Sequence, residues 1–134
     1  MNTFLLITLL LILAFEIIQI AYSKRIVEIK NNWNWGYTIH LIKNGCSHIE
    51  IEFKNDTTWG YLSGLMVEPR RMKQGIATKL MQKAEEIIKR EGFDLAVLSV
   101  DKDREWVKDW YERMGYEVYD EDDLYWDMRK SLNN

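Results

Sequence analysis

The chain has one cysteine, one proline and two histidines among its 134 residues. A single cysteine, Cys46, excludes an intramolecular disulfide and suits a reducing compartment. With only His40 and His48 beside it, a zinc site lacks ligands of the usual kind. Those histidines fall in apparent strands and read as structural or surface residues. There is no surplus of positive charge: the formal net charge is −3, which argues against a dedicated nucleic-acid binder. Repeats and low-complexity linkers are missing too, so the length allows one domain and at most an appendage. What is present is 47% hydrophobic and 29% charged, a balance that predicts a packed core rather than disorder.

The sharpest compositional shift covers residues 4–22. As a helix these residues would rise about 28 Å, close to the roughly 30 Å of a bilayer's hydrocarbon. Thr8, Glu16 and Gln19 interrupt the run. The reading is a transmembrane anchor over 1–23 and a globular domain over 24–134. Lys24, Arg25 and Lys30 follow the run and no Lys or Arg precedes it. By the positive-inside rule this places the domain in the cytoplasm. Two other readings stand beside the anchor. Ala21-Tyr22-Ser23 offers a small-x-small cleavage site for a signal peptide, though without a basic start. A buried first helix would have an unusually continuous apolar surface.

From Ile26 the period shortens to two. Residues 25–30 alternate, residues 35–42 form a second strand, and Asn44-Gly45 is a hairpin signal. Ile49, Ile51 and Phe53 alternate with His48, Glu50, Glu52 and Lys54, which predicts a strand with one polar face. Asn55-Asp56 turns the chain into another strand, residues 59–67. Leu95 to Val100 is a continuous apolar run suited to a buried parallel strand. A helix is predicted over 103–114 with Val107, Trp110, Tyr111 and Met114 on its apolar side and Gly115 closing it. Residues 116–119 and 124–128 make a closing hairpin around the acidic run Asp120 to Asp123. That run reads as a solvated turn or, alternatively, as a field that draws in a cationic amine.

The rest is organised around Leu65 to Gly92. Leu65 and Val67 share a strand face, and Pro69 stops the strand. Ile76, Leu80, Ala84, Ile87 and Ile88 then recur at helical spacing until Gly92. The first N–H groups of such a helix lack internal partners and carry the positive end of its dipole. Gly75 lets a ligand approach, and Arg70, Arg71, Lys73 and Lys79 add charge. Together these make a phosphate site, although an ordinary strand–helix connection has the same pattern.

Residues 62–116 resemble the GCN5-related N-acetyltransferase (GNAT) superfamily. Val67-Glu68-Pro69 is similar to its strand end. Met72-Lys73-Gln74-Gly75-Ile76-Ala77 is similar to its Gln/Arg-x-x-Gly-x-Gly/Ala loop, with Met72 standing where the family prefers Gln or Arg. Tyr111-Glu112-Arg113-Met114-Gly115-Tyr116 resembles its Tyr-x-x-x-Gly-Phe signature. The resemblance implies an α/β fold: a mixed, mostly antiparallel sheet with a β–α–β acyl-CoA-binding core, here preceded by the transmembrane helix. The pair of helices that the family places between its first two strands is missing.

In family terms Leu65, Met66 and Val67 pair with the pantetheine arm. Met72, Lys73, Gln74, Gly75, Ile76, Ala77 and Thr78 hold the diphosphate. Arg104 stands where a CoA-contacting asparagine is usual, and reads either as a phosphate partner or as a solvated helix-start residue. Tyr111 is the expected general acid, or else a buried helix tyrosine. The implied reaction is transfer of an acetyl group from acetyl-CoA to a primary amine of a small molecule or peptide, by direct attack. Glu52, Tyr61 and Glu68 are candidate bases. A membrane-tethered binding module that keeps the fold and CoA but lacks turnover is the alternative.

Overall fold

The computed structural model describes residues 2–43, 47–67 and 75–133, and the backbone alone for residues 17–24. The Asn44-Gly45 turn, Cys46 and the segment Glu68 to Gln74, with Met72, Lys73 and Gln74, lie outside the described residues.

The first element, α1 (Thr3–Lys24), is helical as expected. The anchor assigned to it is not supported. Among the described residues no helix is long and apolar enough to cross a membrane. The apolar stretch that begins at Phe4 meets Glu16, so it rises only about 18 Å, against a hydrocarbon core of roughly 30 Å. The transmembrane part of the expected fold therefore falls, and so does the cytoplasmic placement, which depended on it. The side chains from Phe4 to Phe15 are mostly exposed.

The remainder is a seven-stranded sheet with two helices. In chain order it comprises β1 (Ile26–Trp33), β2 (Gly36–Lys43), β3 (Ser47–Lys54), β4 (Gly60–Met66), α2 (Ile76–Arg90), β5 (Leu95–Asp101), α3 (Glu105–Arg113), β6 (Glu117–Glu121) and β7 (Tyr125–Ser131). The strand order is β1-β2-β3-β4-β5-β7-β6. Every pairing is antiparallel except β4 with β5. That exception follows from α2, whose crossover returns the chain in the same direction.

Alternation decides which face is covered. The register sets Ile39 opposite Ile51 and Leu41 opposite Ile49, and these join Phe53, Leu62, Leu98 and Met128 on one face. Leu80, Met81, Ala84, Ile87 and Ile88 of α2 pack down on it, as does Tyr111 of α3. Burying each such side chain contributes about 1.5–3 kcal/mol. A polar clasp adds position: the Glu85 carboxylate of α2 accepts from Lys130 Nζ at 2.6 Å and from Tyr116 Oη at 3.3 Å. It ties α2 to β7 and to the turn that closes α3.

Pairing lengthens several elements beyond the expected bounds. The first strand runs to Trp33 because Asn31, Asn32 and Trp33 find partners in Thr38, Tyr37 and Gly36; a partner strand overrides the poor strand propensity of asparagine. The last strand reaches Ser131 because β5 pairs with it throughout. α3 starts two residues later than expected, since a turn with Arg104 N–H bonded to the Asp101 carbonyl (3.0 Å) precedes it.

β1 and β2 are joined directly by Asn34-Trp35, without the pair of helices that the sequence already lacked between them. Gly36 makes this possible. Its φ is 147°, and a Cβ there would lie 1.9 Å from the Phe53 carbonyl oxygen. Gly36→Ala is therefore expected to cost about 3 kcal/mol, the size typical of a backbone clash at a special φ. Urea unfolding measures this, and an unchanged midpoint would refute the assigned crowding.

Candidate functional site

The site begins with a fault in β4. Glu50 of β3 pairs with Ser63, yet His48, two residues on, pairs with Met66, three residues on. One extra residue is thus inserted in β4, and Gly64 accommodates it at φ 63°. Such a bulge bends its strand. On its other side β4 pairs with β5 at Gly60, Tyr61 and Leu62 only, the last opposite Leu98. Beyond Leu62 the two strands part, and the β5-facing backbone from Ser63 to Met66 has no strand partner among the described residues.

The parting opens a cleft of about 270 Å³. Ser63, Gly64 and Leu65 line one wall, Leu98, Ser99, Val100 and Asp101 the other, and Arg104, Val107 and Tyr111 of the α3 region close it. It lies at the carboxyl ends of the parallel pair, where ligands of open α/β sheets bind. A space of this size suits a slender chain rather than a bulky ligand.

Tyr111 is held by packing. It is 8% exposed, with edge contacts to the rings of Trp110 and Tyr116 at 5.0 and 5.6 Å. Burial pushes its phenol up to about 12. No hydrogen bond to its hydroxyl is made among the described residues, and no buried side-chain oxygen or nitrogen there is left unpartnered. The hydroxyl therefore keeps some contact with solvent, and Tyr111 is among the residues that line the cleft.

The start of α2 lies beside the same core. Ile76 is buried with Leu62 and Tyr111 in one cluster. Gly75 caps the helix at φ 72°, and no side chain caps it. The first internal bond runs from Lys79 N–H to the Gly75 carbonyl at 3.0 Å. The N–H groups of Ile76, Ala77 and Thr78 consequently have no acceptor within the helix. A Cβ at Gly75 would meet nothing within 4 Å among the described residues.

Of the residues singled out from sequence, the structure brings Leu65, Arg104 and Tyr111 to one cleft. Arg104 is the N-cap of α3, exposed and without an ion pair among the described residues. Met66 is 59% exposed and is not part of the cleft lining, whereas Val67 packs against the core. Gly75, Ile76, Ala77 and Thr78 sit at the helix start. Glu52 is half-buried on the face of the sheet away from the helices, and Glu68 lies outside the described residues. The acidic run is used locally: Asp122 Oδ1 accepts from the N–H groups of Leu124 and Tyr125 at 2.7 and 2.8 Å, which holds its carboxyl below the usual range. Glu121 pairs with Lys102 at 2.6 Å. Sequence reasoning missed Gly64, although a glycine isolated within a strand is a bulge signal.

A family model described as the acetyltransferase (GNAT) family matches residues 21–116. Among solved structures, the chain is similar to the PaiA N-acetyltransferase of Thermoplasma acidophilum in complex with coenzyme A. Identity is 23% and the TM-score 0.60, covering 70% of this chain and 59% of that one. It is also similar to an aminoglycoside 6'-N-acetyltransferase complexed with coenzyme A (18% identity, TM-score 0.61, 73% of each chain). Escherichia coli ElaA is a third (19% identity, TM-score 0.53, 71% of this chain and 68% of that one). The chain thus spans under two thirds of the Thermoplasma protein. No curated protein matches it in sequence. The family model covers most of the chain, and the solved structures are similar to it in overall fold: the chain belongs to the acetyltransferase (GNAT) family.

Proposed function

We propose that the chain transfers an acetyl group from acetyl-CoA to a primary amine, with Tyr111 as the acid that protonates the departing sulfur. The observation that carries this reading is the cleft between β4 and β5 with Tyr111 in its lining. Family membership supports acetyl-CoA as the co-substrate.

Each part of the donor has a counterpart in the chain. Unpaired N–H groups of Ile76, Ala77 and Thr78 at the positive end of α2 receive the diphosphate, and Arg104 adds charge at the cleft mouth. The free backbone edge from Ser63 to Met66 offers hydrogen bonds to the amides of the pantetheine arm. As the amine attacks, charge develops on the thioester oxygen. A backbone N–H near Val67 is the donor assigned to it, a role that in other enzymes supplies about 3–4 kcal/mol.

Tyr111 suits its task through burial. A phenol pushed up to about 12 stays protonated throughout the neutral range. The same weakly polar surroundings disfavour a thiolate, which keeps proton transfer between the two matched. The acceptor class proposed is a small-molecule or peptide amine. One of the similar structures is named an aminoglycoside acetyltransferase, and that substrate belongs to that protein.

Acetyl-CoA at a hundredfold its dissociation constant should stabilise the protein by about 2.7 kcal/mol in thermal unfolding. A chain that is not stabilised at all would overturn the donor assignment. Tyr111→Phe should keep that stabilisation while thiol release with an amine panel falls about 10²-fold or more; stabilisation of the wild type without thiol release would instead favour a non-catalytic CoA binder. The pH profile is a separate check. Because the acid form is the active one and its pKa is about 12, Tyr111 should cause no loss of rate until the pH approaches that value. A Tyr111-dependent fall below about pH 10, the ordinary tyrosine value, would contradict the burial argument.

A further inference from the structure

The face of the sheet turned away from α2 and α3 carries a hydrogen-bonded chain that the transfer step leaves unused. Tyr61 Oη of β4 donates to Ser99 Oγ of β5 at 3.1 Å, and Ser99 Oγ donates to Asp127 Oδ1 of β7 at 2.7 Å. Three adjacent strands thus hand protons in one direction, and the register that sets Ser99 opposite Asp127 maintains the second step. The chain ends on a carboxylate, a group that only accepts. Of the three residues, Ser99 alone lines the cleft. A serine oxygen has two acceptor positions. Tyr61 occupies one, which leaves the other for an N–H arriving in the cleft.

We propose that Ser99 and Asp127 are the proton exit for the acceptor amine, an assignment that rests on the acetyl-transfer reading above. When the neutral amine attacks, a C–N bond forms and the carbonyl π pair moves to oxygen, leaving nitrogen positive. That nitrogen is far more acidic than a free ammonium, because its new carbon also bears oxygen and sulfur. Its proton passes to Ser99 Oγ as the proton of Ser99 passes to Asp127 Oδ1. The oxyanion pair then re-forms the C=O bond as the C–S bond breaks, and sulfur leaves with the C–S electron pair and takes the proton of Tyr111. Nitrogen has lost one proton and sulfur gained one; Asp127 returns its proton to water and Tyr111 recovers one from it. Asp127 is half-buried and reaches solvent for this return.

The charged and titratable groups around Asp127 come from every neighbouring strand. Arg129 lies on its own strand and is paired with Glu117 of β6 at 3.5 Å. Tyr119 and Asp120 belong to β6, the latter opposite Asp127 in register. Tyr61 is on β4 and Asp101 at the end of β5. The arginine is already engaged by Glu117, and the remaining groups are acidic or phenolic, so among them the carboxylate of Asp127 is distinguished by its bond from the cleft serine.

The test uses the full chain with acetyl-CoA and three amines (spermidine, kanamycin and a lysine-bearing peptide), following thiol release from about pH 3 to 10, a range that brackets ordinary carboxylate and histidine titrations. The wild type should show an acid limb in kcat. Asp127→Asn should lower kcat about 10²-fold and remove that limb, with KM for acetyl-CoA and thermal stabilisation by it unchanged. Ser99→Ala should do the same and Ser99→Thr should restore the rate. If the wild type turns over and Asp127→Asn keeps both rate and limb, the exit is overturned while the transferase reading stands. If the wild type is stabilised by acetyl-CoA but releases no thiol with any of the three amines, both fall together.

Discussion

One extra residue in β4 governs the site. Because Gly64 adopts a left-handed conformation there, β4 curves away from β5 just after Leu62, and the two parallel strands cannot continue their ladder. Strand backbone that would otherwise be satisfied internally is thereby presented to a ligand. The cost of leaving such groups unpaired is offset where solvent reaches them and, in the proposed complex, by donor amides. The rest of the domain serves to hold this opening: α2 packs beneath it, α3 closes one end with Tyr111, and the Glu85 clasp fixes both helices relative to β7.

Asn34-Trp35 joins β1 to β2 directly, with no helix between them, and α2 and α3 pack on the opposite face from the even-numbered residues of β2 and β3. Polar side chains occupy the face away from these helices: the pair of His40 and Glu50 at 3.5 Å, Glu52, and the Tyr61–Ser99–Asp127 chain. In the proposed reaction the hydrogen-bonded chain on that face is the one that bears on the acceptor's chemistry. Tyr116 shows a related adjustment. It stands where the family signature has phenylalanine, and its added hydroxyl, too buried to ionise readily, is satisfied by Glu85.

Much of the fold was legible in the residues. The alternation of Ile49, Ile51 and Phe53, the helical spacing of Ile76, Leu80, Ala84, Ile87 and Ile88, and the glycines at 92 and 115 each mark an element through local physics. Misreadings arose where distant partners decide. Asn31 and Asn32 look like loop but become strand because β2 lies alongside. Residues 4–22 look long enough to span a bilayer by composition, yet the apolar stretch that matters stops at Glu16. Gly64, a lone glycine within a strand, signals a bulge, but where the ladder parts depends on the register on both sides of β4.

By itself, then, the order of residues determined the succession of elements, the glycine-opened start of α2, and Tyr111 on the buried side of α3, since each depends on neighbours within a few positions. Tertiary structure alone decided that β4 and β5 part after Leu62, that Leu65, Arg104 and Tyr111 share one cleft, and that Ser99 links that cleft to Asp127. Those relations join residues up to about sixty positions apart through register and packing, and no local propensity carries such information.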